Sequence, residues 1–209
     1  MFQQKINQNW QFRQFAVGQW HPATVPGTVH TDLLANNLIE DPFYRTNESN
    51  LQWIDKVKWE YRCTFNATEE LLNKDIINLI FKGLDTYATV CLNSVKILET
   101  NNMHCTWQVD IAKKLKPGEN ELHLVFDSPI ARGMEEFNNF GIALPAPNDQ
   151  SENGGMGTNR VSVFTRKAGY HYGWDWGPRF VTSGIWRDVV IEASNEMQIQ
   201  DLFIQQDKI

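Results

Sequence analysis

The chain has no apolar run approaching the roughly 20 residues of a membrane-spanning helix, so no membrane span is expected. Its polar opening, Met1-Phe2-Gln3-Gln4-Lys5, lacks the apolar segment of a secretory leader. A chain beginning after a removed leader would read the same way, so the compartment stays open. Basic residues are in deficit, with 19 Lys and Arg against 25 Asp and Glu and a net charge of −6. They are also scattered, Lys113, Lys114 and Lys116 being the densest group, which leaves no electrostatic footprint for nucleic acid. Cysteine is scarce too: Cys63, Cys91 and Cys105 are odd in number and lack CxxC spacing. That pattern fits buried thiols better than a disulfide framework or a zinc site, and neither a metal nor another cofactor is expected. Asn47-Glu48-Ser49 and Asn66-Ala67-Thr68 have the glycosylation tripeptide pattern, which by itself decides nothing.

What is abundant is tryptophan, 8 in 209 residues, within an aromatic total of 12%. With 42% hydrophobic and 21% charged residues the chain can bury an ordinary core, and its length suits one large all-β domain or two small ones. Trp59, Tyr61, Cys63 and Phe65 alternate with Glu60, Arg62 and Thr64, as a half-buried strand requires. Ile76 to Phe81 reads as a second strand. Tyr87 to Leu92 reads as a third, turning at Asn93-Ser94 into Val95 to Leu98. Pro117 to Asn120 predicts a turn before Leu122, Leu124 and Phe126, and Trp186 to Ala193 a further strand. Thr31 or Asp32 could cap a short helix through Leu33, Leu34 and Leu38, the expected main helix. Arg132 to Asn159, rich in Pro, Gly and polar residues, reads as a long surface loop. After a polar break at Ser194-Asn195, Met197 to Ile204 predicts a strand that would open a following domain.

Many short strands, one or two short helices and no repeat predict an all-β antiparallel β-sandwich of jelly-roll type. The expected domain covers residues 1–195, with 196–209 as linker and first strand of the next.

The motif with the most chemistry is Gly173-Trp174-Asp175-Trp176-Gly177, followed by Pro178. Indole faces pack on the C–H faces of a pyranose ring, and a carboxylate accepts charge-assisted hydrogen bonds from hydroxyls. Glycine and proline around them favour a shaped loop over a strand interior. The plainer alternative makes the tryptophans core residues and Asp175 a turn cap. Glu135-Glu136 reads as a solvated face, His30 as a hydrogen-bonded structural histidine, Asn47 as a turn residue, and Arg166 and Lys167 as exposed charges that could brace the acidic loop.

The chain resembles the amino-terminal sugar-binding domain of β-mannosidases in glycoside hydrolase family 2. The resemblance rests on Pro22 to Leu34, Asp41-Pro42-Phe43-Tyr44, Asn47-Glu48, Trp59-Glu60-Tyr61, Gly83 to Val90 and Asn101-Asn102-Met103. It continues through Pro117 to Leu122, Arg166-Lys167-Ala168, Gly173 to Pro178 and Ser183 to Arg187. The Gly-Trp-Asp-Trp-Gly-Pro element marks the β-mannosidase branch rather than β-galactosidases or β-glucuronidases. His104 and Tyr172 depart from the residues common in the family at those positions.

The resemblance implies a galactose-binding-like jelly roll that packs, in the complete enzyme, against an immunoglobulin-like domain and a (β/α)8 barrel. It implies retaining hydrolysis of terminal non-reducing β-D-mannose residues, with both catalytic glutamates on the barrel and none in this chain. Trp174, Asp175 and Trp176 then bind substrate, and the isolated chain is inactive. Other family 2 exo-glycosidases, a freestanding carbohydrate-binding module and a purely structural bracing domain are the competing readings.

Overall fold

The computed structural model describes residues 2–195 and 202–208. Among the described residues ten strands form two antiparallel sheets. The first sheet holds β1 (Phe2–Lys5), β10 (Val189–Ser194), β5 (Ile76–Phe81) and β8 (Trp107–Asp110), in that spatial order. The second runs β3 (His21–Pro22), β2 (Gln11–Gln14), β4 (Trp59–Ala67), β9 (Gly118–Phe126), β6 (Ala88–Leu92) and β7 (Val95–Glu99). This is the jelly-roll sandwich expected from the strand pattern.

Alternation in β4 and β9 does the work that the sequence implied. Trp59 faces Phe126, Tyr61 faces Leu124 and Cys63 faces Leu122 across the ladder, all of them buried. Tyr61 meets Phe126 edge-on with ring centroids 5.7 Å apart, a favoured aromatic geometry. These side chains share one core with Phe12, Leu79, Phe81, Val90 and Ile191. The β6–β7 hairpin turns at Asn93 and Ser94, both at positive φ (52° and 67°), the conformation that lets a two-residue turn follow the strand twist. Strands β1 and β8 are too short to carry a period in the sequence, and neither was expected.

The helices differ from expectation. Helix α1 (Val29–Ala35) is capped by Thr28, which exchanges hydrogen bonds with Thr31, so neither Thr31 nor Asp32 is the cap. Asp32 is instead buried, accepting from Thr24 N–H at 2.8 Å and Tyr61 Oη at 2.9 Å. Short helices α2 (Asn47–Asn50) and α3 (Glu69–Leu72) follow. The longest helix, α4 (Pro129–Phe140), stands where the sequence was read as loop. Its start is legible afterwards: Ser128 Oγ accepts from Ala131 N–H at 3.0 Å with Pro129 in the first turn, and Gly141 ends it at φ 73°. Its apolar stripe of Ile130, Met134 and Phe137 packs on the small core, with Gly133 at the contact position between them. A Cβ there would lie 2.9 Å from Val161 Cβ.

Of the three cysteines, all free, only Cys63 is buried; Cys91 is half-buried and Cys105 exposed, so buried thiols describe one of them. The strand expected over Met197–Ile204 lies for most of its length outside the described residues.

Two long connections leave the sandwich. Residues 23–58 join β3 to β4 and carry α1 and α2, while residues 127–188 join β9 to β10 and carry α4. The second has its own small core of Ile130, Val161, Tyr172 and Val181. Leu79, fully buried at the centre of β5, tests the main core. Leu79→Ala should lower the unfolding free energy of the chain by about 2–5 kcal/mol in urea titration.

Candidate functional site

The tips of the two connections face each other across an open groove of about 380 Å³. One wall is the turn from Trp174 to Pro178. Trp174 N–H donates to Gly177 O at 3.3 Å and closes the turn. Gly173 enters it at φ 102°, against the side chain of Gln150, where a Cβ would come within 2.8 Å. Gln150 holds this entry twice, its backbone N–H donating to Tyr172 O at 2.9 Å and its side-chain amide to Trp174 O.

The two indoles stand 6.5 Å apart at 55°. Trp174 is half-buried and Trp176 is 81% exposed. Asp175 between them is exposed, and among the described residues its carboxylate takes no hydrogen bond. An acceptor with open lone pairs can take a hydrogen bond from a hydroxyl, and an uncovered indole can cover an apolar face.

The opposite wall comes from Pro42, Phe43, Arg45 and Glu48. Phe43 is exposed and meets Phe180 edge-on at 5.5 Å, tying this wall to the residues just past Pro178. Asn47, half-buried at the start of α2, donates to Asp41 O at 2.9 Å and so holds the turn behind the wall rather than facing the groove.

Below the groove the connections are pinned by two buried ion pairs. Arg179, 1% exposed, donates to Asp55 Oδ2 and Gln52 Oε1, both at 2.6 Å. Lys167 is wholly buried against Asp85 and donates also to Thr182 O at 2.8 Å, joining the two stems of the Trp-Asp-Trp loop. The sequence reading of Lys167 as an exposed charge is therefore corrected. Its partner Asp85 lies 82 positions away, a pairing with no local signal. Burial works against the Asp85 carboxylate, but the Lys167 charge and bonds from Lys167, Thr182 and Thr86 outweigh it and hold the pKa below the usual range.

His30 packs on Phe180, ring centroids 5.6 Å apart, and among the described residues its ring makes no hydrogen bond, Nδ1 being buried without a partner, so the expected hydrogen-bonded histidine is corrected to one held by packing. Glu135 and Glu136 are exposed on α4, as expected of a solvated face. His104 is exposed beside buried Met103, and Tyr172 is fully buried in the small core, its hydroxyl without a hydrogen-bond partner among the described residues. The structure thus brings Trp174, Asp175 and Trp176 together on one groove wall. It adds Phe43, Gln150 and Arg179, of which only Arg179 lay near the motif in sequence.

The two-sheet sandwich with long connections is the architecture of a galactose-binding-like domain. The chain belongs to the glycosyl hydrolase 2 galactose-binding domain-like family, whose model matches residues 10–187. It is 36% identical over 211 residues to beta-mannosidase B of Aspergillus terreus, covering 99% of this chain and 24% of that protein. It is 36% identical over 189 residues to a beta-mannosidase of Bos taurus, covering 90% of this chain and 21% of that one. The crystal structure of a beta-D-mannosidase from Dictyoglomus thermophilum superposes with a TM-score of 0.90 at 37% identity, covering all of this chain and 24% of that one. The chain spans about a quarter of the length of the relatives it matches.

The buried groups beneath the groove make two expectations. Burial, helped by the Lys167 and His171 charges and opposed by Asp85, lowers the His30 pKa to about 4. In an unfolded chain histidine binds its proton near 6.5. Between those values the unfolded state holds more protons, so this contribution to stability is intact above pH 6.5 and falls as pH drops toward 4. Asp32, raised to about 6 mainly by burial against bonds from Thr24 and Tyr61, acts in the opposite sense, so a variant comparison is needed. His30→Gln should flatten the decline of unfolding free energy between pH 6.5 and 4; an unchanged slope would count against the assignment. Lys167→Met, which strands the Asp85 charge, should cost about 3–5 kcal/mol, and the double change with Asp85→Asn far less, as read by urea unfolding.

Proposed function

We propose that this chain is the sugar-binding domain of a retaining β-mannosidase, and that Trp174, Asp175 and Trp176 complete the pocket for the terminal mannose. The observation that carries the reading is the uncommitted Asp175 carboxylate, held between two indoles on the wall of an open groove. The beta-mannosidase names of the relatives support the sugar. In this reading residues 1–195 are the jelly-roll domain, and 196–209 lead into an immunoglobulin-like domain and a barrel.

Retaining hydrolysis needs two carboxyl groups roughly 5 Å apart. One protonates the glycosidic oxygen as the other attacks the anomeric carbon, and water then releases mannose from the glycosyl-enzyme. Glu135 and Glu136, exposed neighbours on α4 away from the groove, are not such a pair. The catalytic glutamates are supplied by the barrel, which makes the chain inactive alone. Asp175 accepts hydrogen bonds from ring hydroxyls remote from the cleaved bond, and an indole covers a C–H face. Contacts that orient the ring toward the transition state raise the rate as well as the affinity.

Asp175→Ala in the full-length polypeptide should lower kcat/KM on an aryl β-mannoside by about 10- to 100-fold, the equivalent of about 1.5–3 kcal/mol for a charged hydrogen bond, with folding intact. An unchanged rate would return Asp175 to the role of a turn residue. Residues 1–209 alone should show little or no mannose binding by calorimetry, because half of the pocket is absent. Tight binding would favour a freestanding carbohydrate-binding module instead.

A further inference from the structure

Three separate stretches of chain build the groove: residues 42–48, Gln150, and the turn 174–178. All three meet at one residue, Arg179, through its side chain and its backbone. The Arg179 guanidinium bonds Gln52 and Asp55, which follow the first stretch, while its backbone N–H donates to Glu48 Oε1 at 2.7 Å. Gln52 returns the contact, its amide donating to Arg179 O and Glu48 O, both at 2.9 Å. The second stretch reaches the same group through Gly154, where a Cβ would lie 2.6 Å from Arg179 Cζ, so the backbone lies directly against the guanidinium. Arg179 itself begins one residue after Pro178, at the exit of the third stretch.

We propose that Arg179 is a positioning residue for Asp175: it sets the substrate loop relative to the two other stretches of the groove. This rests on the reading of Asp175 as a substrate contact. None of the Arg179 partners named here lies on a strand, so the constraint acts on the connections that shape the groove rather than on the sandwich. Both side-chain bonds leave one nitrogen, Nη1, whose two N–H directions are fixed by the guanidinium plane, as those of an ammonium on a flexible stem are not; Nε is buried without a partner among the described residues. Glu48 is fixed by the same contacts, one of its carboxylate oxygens being taken by the Arg179 N–H.

The test is a cycle in the full-length polypeptide on an aryl β-mannoside. Arg179→Met with Asp55→Asn removes both buried charges and strands neither. The pair of changes should lower kcat by about tenfold or more, as displacement of a catalytic-site contact does, while KM changes less. In an Asp175→Ala background the same changes should cause little further loss, because the group being positioned is gone. Equal fractional losses in both backgrounds, or no loss in either, would overturn the proposal. Arg179→Lys, which keeps a charge opposite Asp55 but loses the planar group that fixes the two Nη1 bonds, provides the same comparison should the double variant not fold. Its smaller loss should also vanish without Asp175, and a loss that persists there counts against positioning. If Asp175→Ala alone leaves the rate unchanged, the substrate reading fails and this inference fails with it. If Asp175→Ala slows the enzyme and the Arg179 effect is additive, only this inference fails.

Discussion

The buried pair of Lys167 with Asp85 is the constraint on which the rest of the site depends. Asp85 belongs to the connection between β5 and β6, and Lys167 to the long connection that leaves β9 and returns at β10. Their contact, extended by Lys167 to Thr182 O and by Thr182 Oγ1 to Asp85 Oδ2, fastens both stems of the Trp-Asp-Trp loop to the sandwich. A buried charge pair is a poor source of net stability but a strict one of geometry. Either charge left alone in a low-dielectric interior is costly, so alternative placements of the connection are strongly disfavoured.

The molecule divides its work accordingly. The sandwich supplies hydrophobic burial through the β4–β9 ladder and the facing sheet, and its side chains have no part in the groove. The groove is assembled from connections, where backbone is free to take the positive φ of Gly173 and to bring an acidic residue outward between indoles. Polar groups, rather than strands, hold these connections in place. A sandwich of this class can carry many functions, and its chemistry depends on what the loops present.

Much of the scaffold was legible because its signals are local. Trp59 to Phe65, Ile76 to Phe81 and the Asn93-Ser94 hairpin announce themselves through alternation and turn chemistry within a few residues. The Trp-Asp-Trp motif was legible for the same reason, as a dense group of interacting residue types. Helix α4 was missed although Ser128-Pro129 marks its start and Ile130, Met134 and Phe137 keep helical spacing, because the Pro- and Gly-rich stretch after it dominates the reading of residues 132–159, and the tight contact of Gly133 with Val161 is tertiary. The pairing of Lys167 with Asp85 and the convergence of Glu48, Gln52 and Asp55 on Arg179 span 82 to 131 positions and leave no periodic trace.

By itself the sequence determined the class of fold, most of the strands and the presence of an aromatic-acidic turn with the composition of a sugar contact. Those properties follow from short-range rules, since the period of a strand and the conformation of a turn depend on neighbouring residues. Only the tertiary structure decided that the turn faces Phe43 and Arg45 across a groove, and that Asp175 is left without a partner among the described residues. It also decided that the charges beneath are buried pairs rather than solvated side chains. Burial and electrostatic pairing are set by which distant segments meet, and that is a property of the packed chain.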